Sequence, residues 1–227
     1  MTCCAETPSH DHGSCEVKPG DPPHVHHMDS KTAYDSAKLG MWLFLATEIL
    51  LFSVLIVAFI LFRHMHLEQF HHASKSLNWR MGLTNTIVLL FSSLLAALAV
   101  DAARLGNNKR VFNLLMGAIG CGGIFVIVKY FEYSKKYAHG LFPGGSEWFT
   151  PESMEHYNIF FGLYYCMTGL HAFHVIVGMG VLGWAACKAR KNRYSGRYFT
   201  PVEIGALYWH LVDLIWIYLF PLLYLVG

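Results

Sequence analysis

From about residue 39 onward, long apolar runs alternate with short polar breaks, and these runs set the architecture. Five of them, Leu39–Phe62, Trp79–Ala103, Val111–Tyr133, Tyr157–Cys187 and Val202–Val226, reach the about 20 residues that a helix needs to cross a hydrocarbon core about 30 Å thick. A soluble helix keeps a polar face opposite its apolar stripe. These runs are apolar nearly all round, so the pattern predicts an all-α integral membrane bundle of five transmembrane helices. The fourth run exceeds a perpendicular crossing, which implies tilt or extension into the interface.

The breaks carry their own signals. Gly106-Asn107-Asn108 within Leu105–Arg110 reads as a tight turn that makes the second and third helices antiparallel neighbours. Thr200-Pro201-Val202-Glu203 reads as a capping box, with Thr200 as the N-cap and proline at the first helical position. Phe142-Pro143-Gly144-Gly145-Ser146 opens a longer loop reaching to about His156. Small residues recur on single helix faces, at Ser92/Ala96 and Ser93/Ala97, then at Gly117, Gly120, Gly122 and Gly123, and at Gly178 and Gly180. In lipid such positions let backbones approach closely, so they are packing signals rather than chemistry.

Residues 1–37 differ from the transmembrane domain of 38–227. Cys3, Cys4, His10, His12, Cys15, His24, His26 and His27 lie among Pro, Gly, Ser and Asp. Thiolates and imidazoles suit Zn or Cu(I), but the spacing matches no standard zinc motif and the composition is that of a disordered segment. An unstructured cytoplasmic tail with incidental metal affinity is the reading.

Composition supports the membrane assignment: 54% of residues are hydrophobic and only 14% charged, with a net charge of +2. Basic residues set orientation. Lys18, Lys31, Lys38, Arg104, Lys109, Arg110, Lys188, Arg190, Lys191, Arg193 and Arg197 fall on one side; Arg63, Lys75, Arg80, Lys129, Lys135 and Lys136 fall on the other. The excess predicts a cytoplasmic N-terminus and a C-terminus in the periplasm or its equivalent. The opening residues lack the charged-then-apolar pattern of a cleaved signal, so the first span is expected to direct insertion.

Against this background the ionisable groups inside the spans need a reason, since each costs roughly 2.5–3.5 kcal/mol at the bilayer centre on insertion scales. Glu48 lies about ten residues into the first span, suited to pairing with a histidine or tyrosine, to a lipid or subunit contact, or to a proton relay. Glu132, in Tyr130-Phe131-Glu132-Tyr133, falls near the outer end of its span, where partial hydration is expected. His171 and His174 share a face of the fourth helix. With His210 they could ligate a haem or metal if their imidazoles faced one another across a cavity. His210 and Asp213, three residues apart, read most simply as an imidazole held by a carboxylate. Two further classes stay open on residues alone: an ion or proton transporter using Glu48, Glu132 and Asp213, and a b-type haem protein using the histidines.

Several motifs then converge. Gly40-Met41-Trp42-Leu43-Phe44-Leu45-Ala46-Thr47-Glu48-Ile49-Leu50-Leu51-Phe52 resembles the first core helix of subunit III of haem-copper oxidases, usually G-M-x-x-F-x-x-S-E-x-x-x-F. Asn85-Thr86 with its Leu/Ser-rich helix and Phe131-Glu132-Tyr133 look like the next two. Thr168-Gly169-Leu170-His171-Ala172-Phe173-His174-Val175-Ile176-Val177-Gly178 is similar to T-G-x-H-G-x-H-V-x-x-G, and Tyr208-Trp209-His210-Leu211-Val212-Asp213 with Trp216 to Y-W-H-F-V-D-x-x-W. The match runs in order over about residues 38–227. Thr47 replaces the usual serine and Ala172 the usual glycine, which makes packing there slightly bulkier.

The resemblance is to the cytochrome c oxidase subunit III family in its five-helix bacterial short form, which lacks the long form's first two helices and hence one wall of a lipid-holding cleft. It implies a non-catalytic, multi-pass subunit, in a bacterial cytoplasmic (inner) membrane, of a respiratory terminal oxidase that reduces O₂ to water and pumps protons. Haem and copper are then expected in the partner catalytic subunit, and none on this chain. Implied partners are subunit I, subunit II and membrane lipids, with phospholipid as a ligand and no nucleic acid. The residues it marks for lipid or subunit contact are Glu48, Glu132, His171, His174, Trp209, His210 and Asp213, with none catalytic and none binding metal. Quinol oxidases and nitric oxide reductases have equivalent subunits, and these helices do not separate the cases.

Overall fold

The computed structural model describes residues 30–75, 77, 79–138, 158–194 and 198–225. Its described helices are α1 (Ser30–Met65), α2 (Leu67–Lys75), α3 (Trp79–Arg104), α4 (Asn108–Ala138), α5 (Asn158–Arg190) and α6 (Thr200–Tyr224). All but α2 are long and apolar enough to cross a membrane, in the order read from the sequence. The helix α1 starts at Ser30, so positions 30–37, assigned to the tail by composition, are helical. A polar composition lowers burial but does not forbid a helix that continues out of a membrane span. The cysteines and histidines of the tail, and the loop following Phe142, lie outside the described residues.

Helices α3, α4, α5 and α6 form the packed unit. Each of α3 and α5 borders both α4 and α6, whereas α1 lies against this unit along α5 and α6 and also meets the short α2. Burial follows this arrangement. Fourteen residues of α6 are buried, including Trp209, Trp216 and Leu219. On α1 the buried apolar residues are Leu45, Phe52 and Phe59, spaced by seven along one seam, with Met41, Leu55 and Ile56 flanking it. The rest of α1 presents Leu43, Leu50, Val54, Val57 and Leu61 outward. So continuous an apolar surface is untenable in water and ordinary in hydrocarbon, where α-helices satisfy their own backbone groups.

Two turns differ in how they are held. Gly106 at φ 71° reverses the chain between α3 and α4 in the left-handed region that suits glycine, and Asn108 ties this turn to the α5–α6 connection through bonds with Tyr194 N (3.2 Å) and O (2.9 Å). At the start of α6 the capping box does not form: the N-cap is Phe199, no side chain caps the helix, and Thr200 is already helical. The physical reason is competition for Glu203. Its carboxylate accepts from Tyr34 Oη at 2.7 Å and Lys38 Nζ at 3.3 Å, and lies 3.8 Å from Arg104. That cluster joins the ends of α1, α3 and α6. The short helix α2, unmarked by any long apolar run, packs by Phe70, whose ring meets Phe59 at 5.3 Å and Phe160 at 5.3 Å.

Candidate functional site

The seam of α1 carries Glu48 three residues after Leu45, hence on the same face, and this face meets α5. His174 Nε2 lies 2.9 Å from Glu48 Oε2. Its Nδ1 lies 2.7 Å from the Leu170 carbonyl oxygen, which only accepts, so Nδ1 carries a hydrogen. The pair therefore shares one further proton, either on the carboxyl, donating to Nε2, or on Nε2 of an imidazolium facing a carboxylate. Phe52 shields the imidazole at 5.4 Å, and the Tyr208 hydroxyl donates to the His174 carbonyl at 3.3 Å. A carboxyl in hydrocarbon thus gains its partner from a different helix.

A second cluster lies between α4, α5 and α6. Lys129, Glu132 and Lys136 follow at intervals of three and four along one face of α4 and are all buried. Glu132 Oε2 accepts from Lys129 at 3.0 Å, while its Oε1 accepts from Tyr164 at 2.9 Å and Tyr224 at 2.7 Å. Lys136 stands 3.5 Å from the same carboxylate and 3.6 Å over the Tyr164 ring, and Lys129 stands 4.6 Å over Trp216. Glu132 is only 3% exposed, which corrects the expectation of partial hydration. Two cations and two phenols replace water around it. Sequence reading missed Lys129, Lys136, Tyr164 and Tyr224; the one available signal was the helical spacing of the two lysines about Glu132.

Between α3 and α6 the polar contacts also run across helices. His210 Nδ1 bonds to Ser93 Oγ, not to Asp213, so the expected His210–Asp213 pair is not formed. Three-residue spacing leaves both groups on one face, but the approach of α3 offers the imidazole a hydroxyl across the gap and it bonds there. Asp213 is buried, and neither carboxyl oxygen forms a hydrogen bond within the described structure. Trp209 Nε1 donates to Ser92 Oγ at 2.8 Å, and Ser92 donates on to the Ala118 carbonyl at 3.1 Å. The indole ring is wedged between glycines: a Cβ at Gly122 would stand 2.8 Å from Trp209 Cη2, and one at Gly178 2.8 Å from its Cε3. The tryptophan joins four helices because two of them lack side chains where it passes.

His171 is fully buried between Phe125 and Trp216, at ring separations of 5.4 and 5.2 Å. The three histidines therefore face three different environments, aromatic, carboxylic and hydroxylic, instead of one shared cavity. Among the described residues no group of three His, Cys, Asp or Glu side chains is placed to hold a metal ion. The structure brings Glu48 together with His174, buries Trp209 and Asp213 on α6, and leaves His210 half-buried between α6 and α3. It keeps Glu132 in a separate cluster. Chemically, the Glu48–His174 pair, the Glu132 cluster and the Trp209 and His210 bonds are interhelical ties, each costly to insert singly and satisfied only in the folded bundle, whereas the ring nitrogens of His171 and the carboxyl oxygens of Asp213 have no hydrogen-bond partner within the described structure.

Comparison with known proteins gives the same direction along nearly the whole chain. The family described as cytochrome c oxidase subunit III matches residues 24–227. Cytochrome c oxidase subunit 3 of Thermostichus vulcanus is 32% identical over 197 residues, covering 84% of this chain and 88% of that protein. The probable quinol oxidase subunit 3 of Staphylococcus aureus is 26% identical over 205 residues, covering 88% and 94%. Haem-copper oxidase subunit I+III of Aeropyrum pernix is 27% identical over 198 residues, 85% of this chain but 23% of that longer protein. With a five-span helical bundle and matches that extend across it, the chain belongs to the cytochrome c oxidase subunit III family.

Proposed function

We propose that this chain braces the catalytic subunit of a respiratory terminal oxidase of the cytochrome c oxidase type, holds lipid beside it, and sustains proton uptake through repeated turnover. Haem and copper belong in this reading to the partner catalytic subunit. The observation that carries it is the separate engagement of His171, His174 and His210, which are spent on packing and on ties between helices. The outward apolar faces of α1 fit contact with lipid and a neighbouring membrane subunit. The Aeropyrum pernix relative, named as subunit I and III together, supports a position beside subunit I. The basic-residue excess supports an N-terminus in the cytoplasm and a C-terminus in the periplasm, in the inner membrane.

The test is deletion of this chain from its host. The remaining complex should keep its haem and copper per catalytic subunit but lose activity sooner during continuous turnover. Loss of the metal centres on deletion alone would contradict the proposal. The similarity to a protein named as a probable quinol oxidase subunit favours a second donor; oxidation of reduced cytochrome c against oxidation of quinol by the purified complex separates the two.

A further inference from the structure

The turn between α3 and α4 encloses a half-open crevice of about 480 Å³ that none of the interhelical ties above uses. Its walls include Leu98, Leu105 and Leu114, and its polar lining includes Asp101, Asn107 and Arg110. Asp101 and Arg110 are both exposed, and neither forms an ion pair among the described residues. Asn107 Oδ1 accepts from the Arg110 backbone N–H at 3.3 Å, while Gly106 turns the chain above them. The nearby Arg104 is turned away, to Glu203 and the Phe199 ring.

Depth and charge together define an occupant. Leu98 lies six residues before the end of α3 and Leu114 six residues after the start of α4, so at 1.5 Å per residue the apolar walls reach about 9 Å below the helix ends. That is where acyl chains leave a glycerol backbone at a bilayer surface. At the mouth, one guanidinium can take a phosphate through paired N–H donors, and one carboxylate can take an ammonium. The lining charges cancel, which matches a zwitterionic headgroup carrying a phosphate and a hydrogen-bonding amine. We propose that this crevice is a binding site for a membrane phosphatidylethanolamine, with its phosphate on Arg110, its amine on Asp101 and an acyl chain along Leu98 and Leu114. The inference rests on the membrane reading of the chain and adds a lipid site at the α3–α4 turn, away from Glu48, His174 and His210.

The test uses the complete oxidase complex in phosphatidylglycerol vesicles carrying a small fraction of photoactivatable phosphatidylethanolamine, phosphatidylcholine or phosphatidylglycerol. After irradiation, labelling within residues 98–114 is read by peptide mass spectrometry. The phosphatidylethanolamine probe should label this segment several-fold more than the phosphatidylcholine probe. Asp101→Asn should remove that preference, Arg110→Gln should reduce labelling by both probes, and Lys109→Gln, outside the crevice lining, should leave it unchanged. Equal labelling by the two probes in the unaltered complex, preferential labelling by phosphatidylglycerol, or indifference to both crevice substitutions overturns the proposal. Haem content per copy of this chain, measured on the same samples, reports separately whether the chain sits in an oxidase.

Discussion

Replacing Gly178 with alanine tests a close helix contact at the centre of the Trp209 wedge. The new Cβ would stand 2.8 Å from Trp209 Cε3, 3.0 Å from its Cζ3 and 3.2 Å from Tyr208 Cε1, whereas carbon atoms rest at about 3.5–4.0 Å. The indole would have to retreat by about 0.7 Å to restore that spacing. Its room to move is small: the ring also packs against Gly122, where an added Cβ would stand 2.8 Å from Cη2, and Nε1 is tied to Ser92. Overpacking of this kind costs about 1–3 kcal/mol, offset by up to about 1 kcal/mol for exchanging a mid-helix glycine for alanine. Gly180, two residues on, has no heavy atom within 4 Å of an added Cβ, so Gly180→Ala should show only the gain. The two substitutions should therefore differ by about 1–3 kcal/mol. The assay is an SDS titration of the purified complex in mixed micelles, following unfolding of this chain. Adding Trp209→Phe to Gly178→Ala should recover part of the loss, because the outer indole ring that clashes is removed. Equal stability of the Gly178→Ala and Gly180→Ala proteins, or strict additivity of Gly178→Ala with Trp209→Phe, would refute the wedge.

The remaining predictions concern the polar ties. Glu132→Gln removes the one anion that pairs with Lys129 and Lys136 among the described residues and should cost about 3–5 kcal/mol, the range for breaking a buried pair; immunoblots should show the chain strongly depleted from the membrane, and normal abundance would count against the cluster. A double-mutant cycle on Glu48→Ala and His174→Ala should give a coupling of about 0.6–1.7 kcal/mol, as for other hydrogen bonds inside membranes, whereas zero coupling in the same SDS titration would show that the 2.9 Å contact is not formed. Ser93→Ala should perturb the NMR signal of a labelled His210 more than Asp213→Asn does, since the imidazole bonds to the hydroxyl; the reverse order would restore the carboxylate as its partner. Glu203→Gln weakens the tie to Lys38 and Arg104, and limited proteolysis should then cut faster near the start of α1.

The five spans were legible because lipid imposes one rule on every crossing segment, and Leu39–Phe62 or Trp79–Ala103 satisfies it without reference to any partner. Glu48 and Trp209 were legible as positions, through the motifs around them, but their partners were not. Pairing of Glu48 with His174 depends on how α1 lies against α5, a register that no local pattern encodes. The same limit explains His210: three-residue spacing pointed to Asp213, and only the approach of α3 supplied Ser93. Lys129 and Lys136 looked like ordinary basic residues near a span end until Tyr164 and Tyr224, from two other helices, closed around them. At Thr200 the motif was present but Glu203 was taken by Tyr34 and Lys38, a contact made across more than 160 residues of chain.

The claim most exposed to a single measurement is that the intramembrane histidines hold helices together while electron transfer belongs to other polypeptides. Its direct test is the optical spectrum of purified complexes carrying His171→Gln, His174→Gln or His210→Gln, normalised to the assembled catalytic subunit. Unchanged Soret and visible haem bands, with reduced stability of the complex, are predicted. Disappearance or displacement of a haem band on replacing any one of the three, at full assembly, would contradict it.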